Sequence, residues 1–461
     1  FFKQKTAYEM LRSLVGSEMC IRDRLKATKG EIISKGEEVF SGVSIDTRTI
    51  GNDEIFFPLK GSYRDGHEFI EEALKRSSGA VVSKEVDIDF QGKTVIKVED
   101  TLKSLQALAK HLRNNFKGKV IAVIGSNGKT TTKELIASFL STKYKVLKTE
   151  GNLNNNIGVP MCLSRVESDT EIMVFELGTN RKGDIRELCE IVFPEYVLIT
   201  NIGYEHIEGF GSIEGVRTGE LEILPYVKTV FANGDDDFLM DGLKEWKGNI
   251  FKFGTGKECD FTAQNIVFDN EHIEFDINSD YGNLRLKTKL TGIHNVYNIT
   301  GAVSVAVYFG IKEKDIKQVL EDFCPVKMRG EIIKINGLEI FFDAYNANPS
   351  SMKVALQELA RRKKGRTAVA VLGDMLELGE FTEKAHEDIG KWLKELEIRF
   401  IGVGKFIKNA LRYTKGYVFD KPEEAGEFLN NTLKGTEVIL IKGSRAMKME
   451  EVLNVLKERR K

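Results

Sequence analysis

Residues 119–132 read Lys119-Val120-Ile121-Ala122-Val123-Ile124-Gly125-Ser126-Asn127-Gly128-Lys129-Thr130-Thr131-Thr132, and this stretch decides the fold. Val120–Ile124 is a continuous apolar, mostly β-branched run, the pattern of a parallel strand buried on both faces. The two glycines let backbone N–H groups close around phosphate oxygens, and the helix that follows adds its positive end. Lys129 can reach β- and γ-phosphates, and the Thr130 hydroxyl can bind Mg2+. The full G-x-x-x-x-G-K-[ST] pattern would need glycine at position 123, where the chain has Val123, so the loop is a shortened G-x-x-G-K-T. Gly125, Ser126, Asn127, Gly128, Lys129, Thr130 and Thr131 are the candidate nucleotide contacts, with Lys129 also a candidate catalytic group.

Strands and helices alternate outward from this loop. Helical spacing at 133–144 and 184–192 separates strand-like runs at 172–178 and 196–203, which predicts a doubly wound parallel sheet. Residues 250–291 alternate with period 2 and read as antiparallel hairpins. A helix over 294–310 follows, and strand–helix alternation resumes from 325 to the end as a second, smaller α/β unit. Upstream, short strands at 42–48, 54–60 and 80–85 alternate with helical runs at 67–77 and 102–116. The fold class is thus α/β in three domains: a small mixed α/β unit over 25–115, a central P-loop sheet with an antiparallel extension over 116–324, and a C-terminal Rossmann-like unit over 325–461.

A chain of 461 residues fits two or three domains. Hydrophobic residues make up 41% and charged residues 30%, which excludes disordered and collagen-like chains. Lys+Arg 68 against Asp+Glu 69 gives a net charge of −1, so no basic excess points to nucleic acid. No apolar run reaches the ~20 residues of a membrane span. Cys20, Cys162, Cys189, Cys259 and Cys324 form no C-x-x-C, consistent with a reducing cytoplasm and no zinc site. Phe1–Arg24 resembles a translated sequencing adapter and is expected not to belong to the fold; the alternative is a real helix through Tyr8, Leu11 and Val15.

The loop, with the ordered runs TEGNLNNNIGVP (149–160), FELG (175–178), TNIGYEHIEGFGS (200–212), GIHNVYN (292–298) and MRGE (328–331), resembles the Mur ligases, the ATP-dependent amino-acid ligases of peptidoglycan synthesis. FDAYNANPSSM (342–352), LGDMLELGE (372–380) and IKGSRAMKMEEV (441–452) are similar to the branch of that family that adds D-alanyl-D-alanine. SIDTRTI and DEIFFPLKGSYRDGHEFI within 44–70 resemble the family's uridine-nucleotide domain. The resemblance implies a ligase that uses ATP and Mg2+ to join D-alanyl-D-alanine to the terminal carboxylate of UDP-N-acetylmuramoyl-tripeptide through an acyl phosphate. It further implies a cytoplasmic monomer with no nucleic-acid or membrane partner.

Residue by residue, the resemblance places Glu176 and His206 in catalysis and, with Thr130, on Mg2+. Bland alternatives are a strand-end acid for Glu176 and a loop hydrogen bond for His206. Asn295 and Asn298, on one helix face, could hold adenine or cap the helix. Arg329 is a candidate phosphate clamp and Asp343 a candidate ribose contact. Asn346, Asn348 and Ser351 are candidates for the dipeptide. Ser44 and Arg48 are candidates for the uridine nucleotide, or else a strand-end turn with a salt bridge. After F-G-S the family carries a lysine carbamylated by CO2, which helps to hold the second metal. Here that position falls on Glu220, with no lysine between Lys182 and Lys228. Glu220 supplies the same charge on a shorter stem and is the fourth candidate metal ligand; otherwise it is a solvated helix residue. Rival readings are a ligase adding the third residue, a P-loop NTPase switch and a binding module with a dead site.

Overall fold

The computed structural model describes residues 19–20, 30–37, 39–90, 92–269 and 272–459. Of the adapter-like segment only Met19 and Cys20 fall within this range, paired antiparallel with Val39–Phe40; the rest lies outside the described residues. The described chain builds three larger sheets.

The central sheet has nine strands. From one edge it runs Val146–Lys148, Ile172–Glu176, Lys119–Ile124, Tyr196–Ile199, Thr229–Asn233, Asn249–Gly254 and Phe261–Phe268, all parallel. Ile273–Ser279 and Gly282–Thr288 then add antiparallel. Successive residues of a strand face opposite sides, and the strand before the loop divides accordingly. Ile121 and Val123 pack with Leu135, Phe139, Val296 and Ile299 on one face. Val120, Ala122 and Ile124 pack with Ile185, Leu188 and Ile191 on the other. All five are fully buried, each burial contributing at most about 1.5–3 kcal/mol.

The expected run of hairpins over 250–291 holds only from Phe261 onward. Asn249–Gly254 is a parallel strand of the main sheet, because the chain between Gly254 and Phe261 loops back to pair Phe253 beside Phe261 and Gly254 beside Thr262. Asp235 pins this loop, accepting from the Thr255 N–H at 2.6 Å, its hydroxyl at 2.7 Å and the Gly256 N–H at 2.9 Å.

The N-terminal sheet has five strands, ordered Glu31–Ser34, Thr94–Lys97, Gly79–Val82, Glu54–Phe56 and Gly42–Ser44, with only the first pair antiparallel. Helix Thr101–Asn115 joins it to the central sheet. Its Leu105 and Leu108 enter the N-terminal core, its Ala109 enters the central core, and Arg113 donates to the carbonyls of Val192 at 2.6 Å and Phe193 at 2.8 Å.

The C-terminal sheet has six strands, ordered Glu331–Ile335, Leu338–Phe342, Val438–Lys442, Ala368–Gly373, Arg399–Val403 and Gly416–Phe419, again with only the first pair antiparallel. Its carboxyl ends meet those of the central sheet. Asn348, the N-cap of helix Pro349–Lys363, accepts from the Ser351 N–H at 2.8 Å and donates through Nδ2 to Asn127 Oδ1 at 2.8 Å. These two roles separate by substitution. Asn348→Ala loses the cap, worth about 1 kcal/mol, together with the bridge to Asn127, whereas Asn348→Asp keeps the cap acceptor, loses only the donor to Asn127 and should cost less. Chemical denaturation of the three proteins checks this; equal losses in both variants would mean that the bridge to Asn127, not the cap, sets the stability.

Candidate active site

The phosphate loop is held open from behind. Gly125 (φ 113°) and Gly128 (φ 86°) occupy the left-handed region. A methyl group on Gly125 would lie 2.4 Å from Thr200 Oγ1, and one on Gly128 would lie 2.2 Å from Asn298 Oδ1. Glycine is required at both for space as well as for φ. The neighbouring strand end supports the loop: the Ser126 N–H donates to Asn201 O at 2.9 Å, the Asn127 N–H to Asn201 Oδ1 at 3.1 Å, and Asn201 Nδ2 to Asn127 O at 3.0 Å. Gly128 begins helix Lys129–Leu140 with no side-chain cap, so the first N–H groups of the helix remain available to an anion.

Lys129 Nζ lies against the Gly125 carbonyl and 3.3 Å from Glu205 Oε2. Burial opposes its charge, but the carboxylates of Glu205, Glu220 and Glu176 outweigh that and raise its pKa. Each of these three acids is buried, with one carboxyl oxygen lacking a donor: Glu205 Oε1, Glu220 Oε1 and Glu176 Oε2. Glu220, fully enclosed, accepts from the Gly125 N–H at 3.2 Å. Burial pushes its pKa up to about 8; Lys129 pulls it down, and the Glu205 charge pushes it further up. Glu176 is aimed by Asn154, whose Nδ2 donates to Oε1 at 2.8 Å.

The opposite wall comes from the C-terminal sheet and helix Ile293–Tyr308. The Arg329 guanidinium stacks 3.9 Å over the Tyr345 ring, leaving its Nε without a partner. Lys442 Nζ donates to Asp343 Oδ2 at 2.6 Å and to Asn346 O at 2.9 Å. Asn298 Nδ2 donates to Asn295 Oδ1 at 3.1 Å, and Asn295 Nδ2 to Thr291 O at 2.7 Å. Neither asparagine caps the helix, whose N-cap is Gly292. The cavity between the walls measures about 720 Å3, the size of a nucleotide-scale pocket.

The structure brings most of the sequence-predicted residues to this cavity: Ser126, Asn127, Gly128, Lys129, Thr130, Thr131, Glu176, His206, Asn295, Asn298, Arg329, Asp343, Asn346, Asn348 and Ser351 all line it. Gly125 and Glu220 sit behind the loop. Ser44 and Arg48 lie outside the cavity, where Arg48 forks onto Asp46 at 2.9 and 2.6 Å, the strand-end turn with a salt bridge.

Of the four candidate metal residues, Thr130, Glu176 and His206 line the cavity, while Glu220 lies behind the loop on the Gly125 N–H. Among the described residues no group of three His, Cys, Asp or Glu is arranged to hold a metal ion. His206, at φ 46°, turns its ring to Glu377 of the C-terminal unit. Glu205, although it adjoins His206, carries no signal of its own in the sequence, and neither do Asn201, Glu377 and Lys442. The same holds for His294, whose Nδ1 is buried without a partner and whose pKa burial lowers.

A glycine loop ending a parallel strand, with a lysine and threonine opening the next helix and a second α/β unit closing over them, defines a P-loop nucleotide-binding protein. The family profiles narrow this. The Mur ligase middle domain matches residues 123–306, and the Mur ligase, glutamate ligase domain, matches residues 328–445. The UDP-N-acetylmuramoyl-tripeptide--D-alanyl-D-alanine ligase of Bacillus subtilis is 35% identical over 95% of this chain and 98% of its own length. A crystal structure of MurF from Acinetobacter baumannii superposes with a TM-score of 0.86 at 31% identity, covering 96% of this chain and 99% of that one. The structure of MurF ligase from Thermotoga maritima in complex with ADP superposes at 0.78 with 26% identity, covering 90% and 97%. The chain belongs to the Mur ligase family.

The Glu220 shift has a sign that can be measured. A carboxyl whose folded pKa exceeds its unfolded value of about 4.3 binds its proton more tightly in the fold. It therefore lowers stability progressively as pH rises from that value through about 8. Glu220→Gln removes the titration. Its thermal midpoint should exceed the parent's at pH 9, and the gap should close toward pH 5; a gap independent of pH would contradict the raised Glu220 pKa.

Proposed function

We propose that this protein is an ATP-dependent ligase that joins D-alanyl-D-alanine to the terminal carboxylate of UDP-N-acetylmuramoyl-tripeptide. The observation that carries this is the one cavity walled both by the phosphate loop and by the 342–352 segment, in a chain related over nearly its whole length to ligases of that name. Phosphoryl transfer to a carboxylate brings like charges together, so the site must supply cations and hold both reactants. In this reading ATP lays its phosphates on the N–H groups of Gly128–Thr131 at the uncapped helix start, while Gly125, Ser126 and Asn127, whose N–H groups donate to Glu220 and Asn201, shape the loop around them. Lys129 exchanges the Gly125 carbonyl and Glu205 for phosphate oxygens. Asn295 and Asn298 take the adenine, Asp343 the ribose and Arg329 the phosphates.

The donor set fits Mg2+, which prefers hard oxygens and keeps several waters. The Thr130 hydroxyl and the unpartnered Oε2 of Glu176 would hold it, with His206 joining on release from Glu377. Bound there, Mg2+ neutralises phosphate charge. The acyl phosphate formed on the tripeptide, with ADP released, is attacked at its carbonyl by the dipeptide amine, positioned by Asn346, Asn348 and Ser351; the C–O bond to phosphate breaks, inorganic phosphate leaves and the amine gives up a proton. The C-terminal unit, held to the loop through Asn348, keeps water from the acyl phosphate.

On this assignment residues 25–115, with Ser44 and Arg48, bind the uridine nucleotide, residues 116–324 the ATP, and residues 325–461 the dipeptide. Among the described residues no helix is long and apolar enough to cross a membrane, and we assign the enzyme to the cytoplasm, as a monomer.

Phosphate release tests the reading: it should require ATP, the UDP-tripeptide and the dipeptide together, and release from ATP alone at the same rate would replace the ligase with an NTPase. Lys129→Ala should lower ligation by about 10²–10³ or more with an unchanged circular dichroism spectrum. Near-parental ligation would remove Lys129 from the mechanism.

A further inference from the structure

Helix Lys129–Leu140 carries a second lysine one turn beyond the phosphate loop. Lys133 is fully buried. Its ammonium donates to the Thr149 carbonyl at 2.6 Å and pairs with Glu134, which also takes Lys148. Enclosing an ammonium is costly even when it is paired, and an apolar side chain of similar volume could fill the same space. What the charge secures is Thr149, itself buried. The Thr149 N–H donates to Val174 O at 3.2 Å, and its hydroxyl accepts from the Glu176 N–H at 3.0 Å. Glu176 stands at the last residue of strand Ile172–Glu176, beyond which the ladder no longer supplies its amide with a partner. Thr149 supplies one, and Lys133 fixes Thr149. The helix that opens with Lys129 and Thr130 therefore also anchors, four residues on, the segment that sets where Glu176 points.

We propose that Lys133 is a positioning residue which, through Thr149, holds the Glu176 carboxylate at the height of the Thr130 hydroxyl so that the two can share one divalent cation. This rests on the reading of Glu176 as a cation ligand under Proposed function.

The test uses the full chain and Mn2+ as the probe. Mn2+ binding in the presence of a non-hydrolysable ATP analogue is followed by electron paramagnetic resonance, beside the steady-state dependence of ligation on Mg2+. Lys133→Met and Thr149→Val should each weaken Mn2+ binding by about tenfold and raise the Mg2+ requirement in parallel, with the KM for D-alanyl-D-alanine unchanged. Lys133→Arg should restore most of the binding. Glu176→Gln separates the two levels. If it leaves Mn2+ binding intact, the reading of Glu176 as a ligand fails. If Glu176→Gln weakens binding while folded Lys133→Met and Thr149→Val do not, the positioning role is overturned. If Lys133→Met does not fold, Lys133→Gln takes its place in the same Mn2+ titration and parental binding by it overturns the role, since Thr149→Val keeps the carbonyl that Lys133 grips and tests only the link from Thr149 to Glu176.

Discussion

One ammonium group faces three buried carboxyls at the phosphate loop, and the rest of the site is arranged around that imbalance. Were Glu176, Glu205 and Glu220 all ionised against Lys129, a low-dielectric pocket would hold excess negative charge. Burial relieves this at Glu220 by raising its pKa, which favours the neutral carboxyl. Lys129 meanwhile rests on the Gly125 carbonyl and Glu205. Phosphates and their cation then enter a site whose own groups are already grouped in pairs. Binding exchanges partners rather than creating charge in an apolar cavity.

Convergence of two sheets makes this exchange useful. Loops at the carboxyl ends of the central strands supply Gly125, Glu176 and Asn201. The carboxyl ends of the C-terminal strands supply Asp343 and Lys442. The two sets meet through Asn348 and Asn127 and through Glu377 and His206. Neither sheet alone encloses the cavity, so the order of the strands in both, and not the loop by itself, determines what can react there.

The loop and the alternation around it were legible because their signals are local: a strand, two glycines, a lysine and a threonine in a row. Arg329, Asp343, Asn346 and Asn348 were legible only through family likeness, since nothing in their neighbouring residues says that they face the loop. Long-range pairings were not legible. Glu205 meets Lys129 across 76 positions, and Asn348 meets Asn127 across 221. Glu220 shows how an environment can be misread from local sequence: the solvated-helix reading fails, because helix Ile213–Glu220 ends with that side chain fully enclosed, and enclosure raises its pKa. The segment 250–260 misled for another reason: period-2 alternation reports which faces are buried, not the direction in which the next strand runs.

Helix Thr101–Asn115 lends Leu105 and Leu108 to one hydrophobic core and Ala109 to another, and Met161 of helix Gly158–Leu163 reaches back from the central unit into the first. The two cores are therefore interlocked like the teeth of a zip and are not beads on a string. An N-terminal module from another ligase could not be grafted at residue 115 or 116 without bringing a helix whose two faces match both hosts. Divergence in the N-terminal unit is thereby tethered to the central sheet, leaving its strand-end loops as the places where a lineage can vary without disturbing the packing beneath.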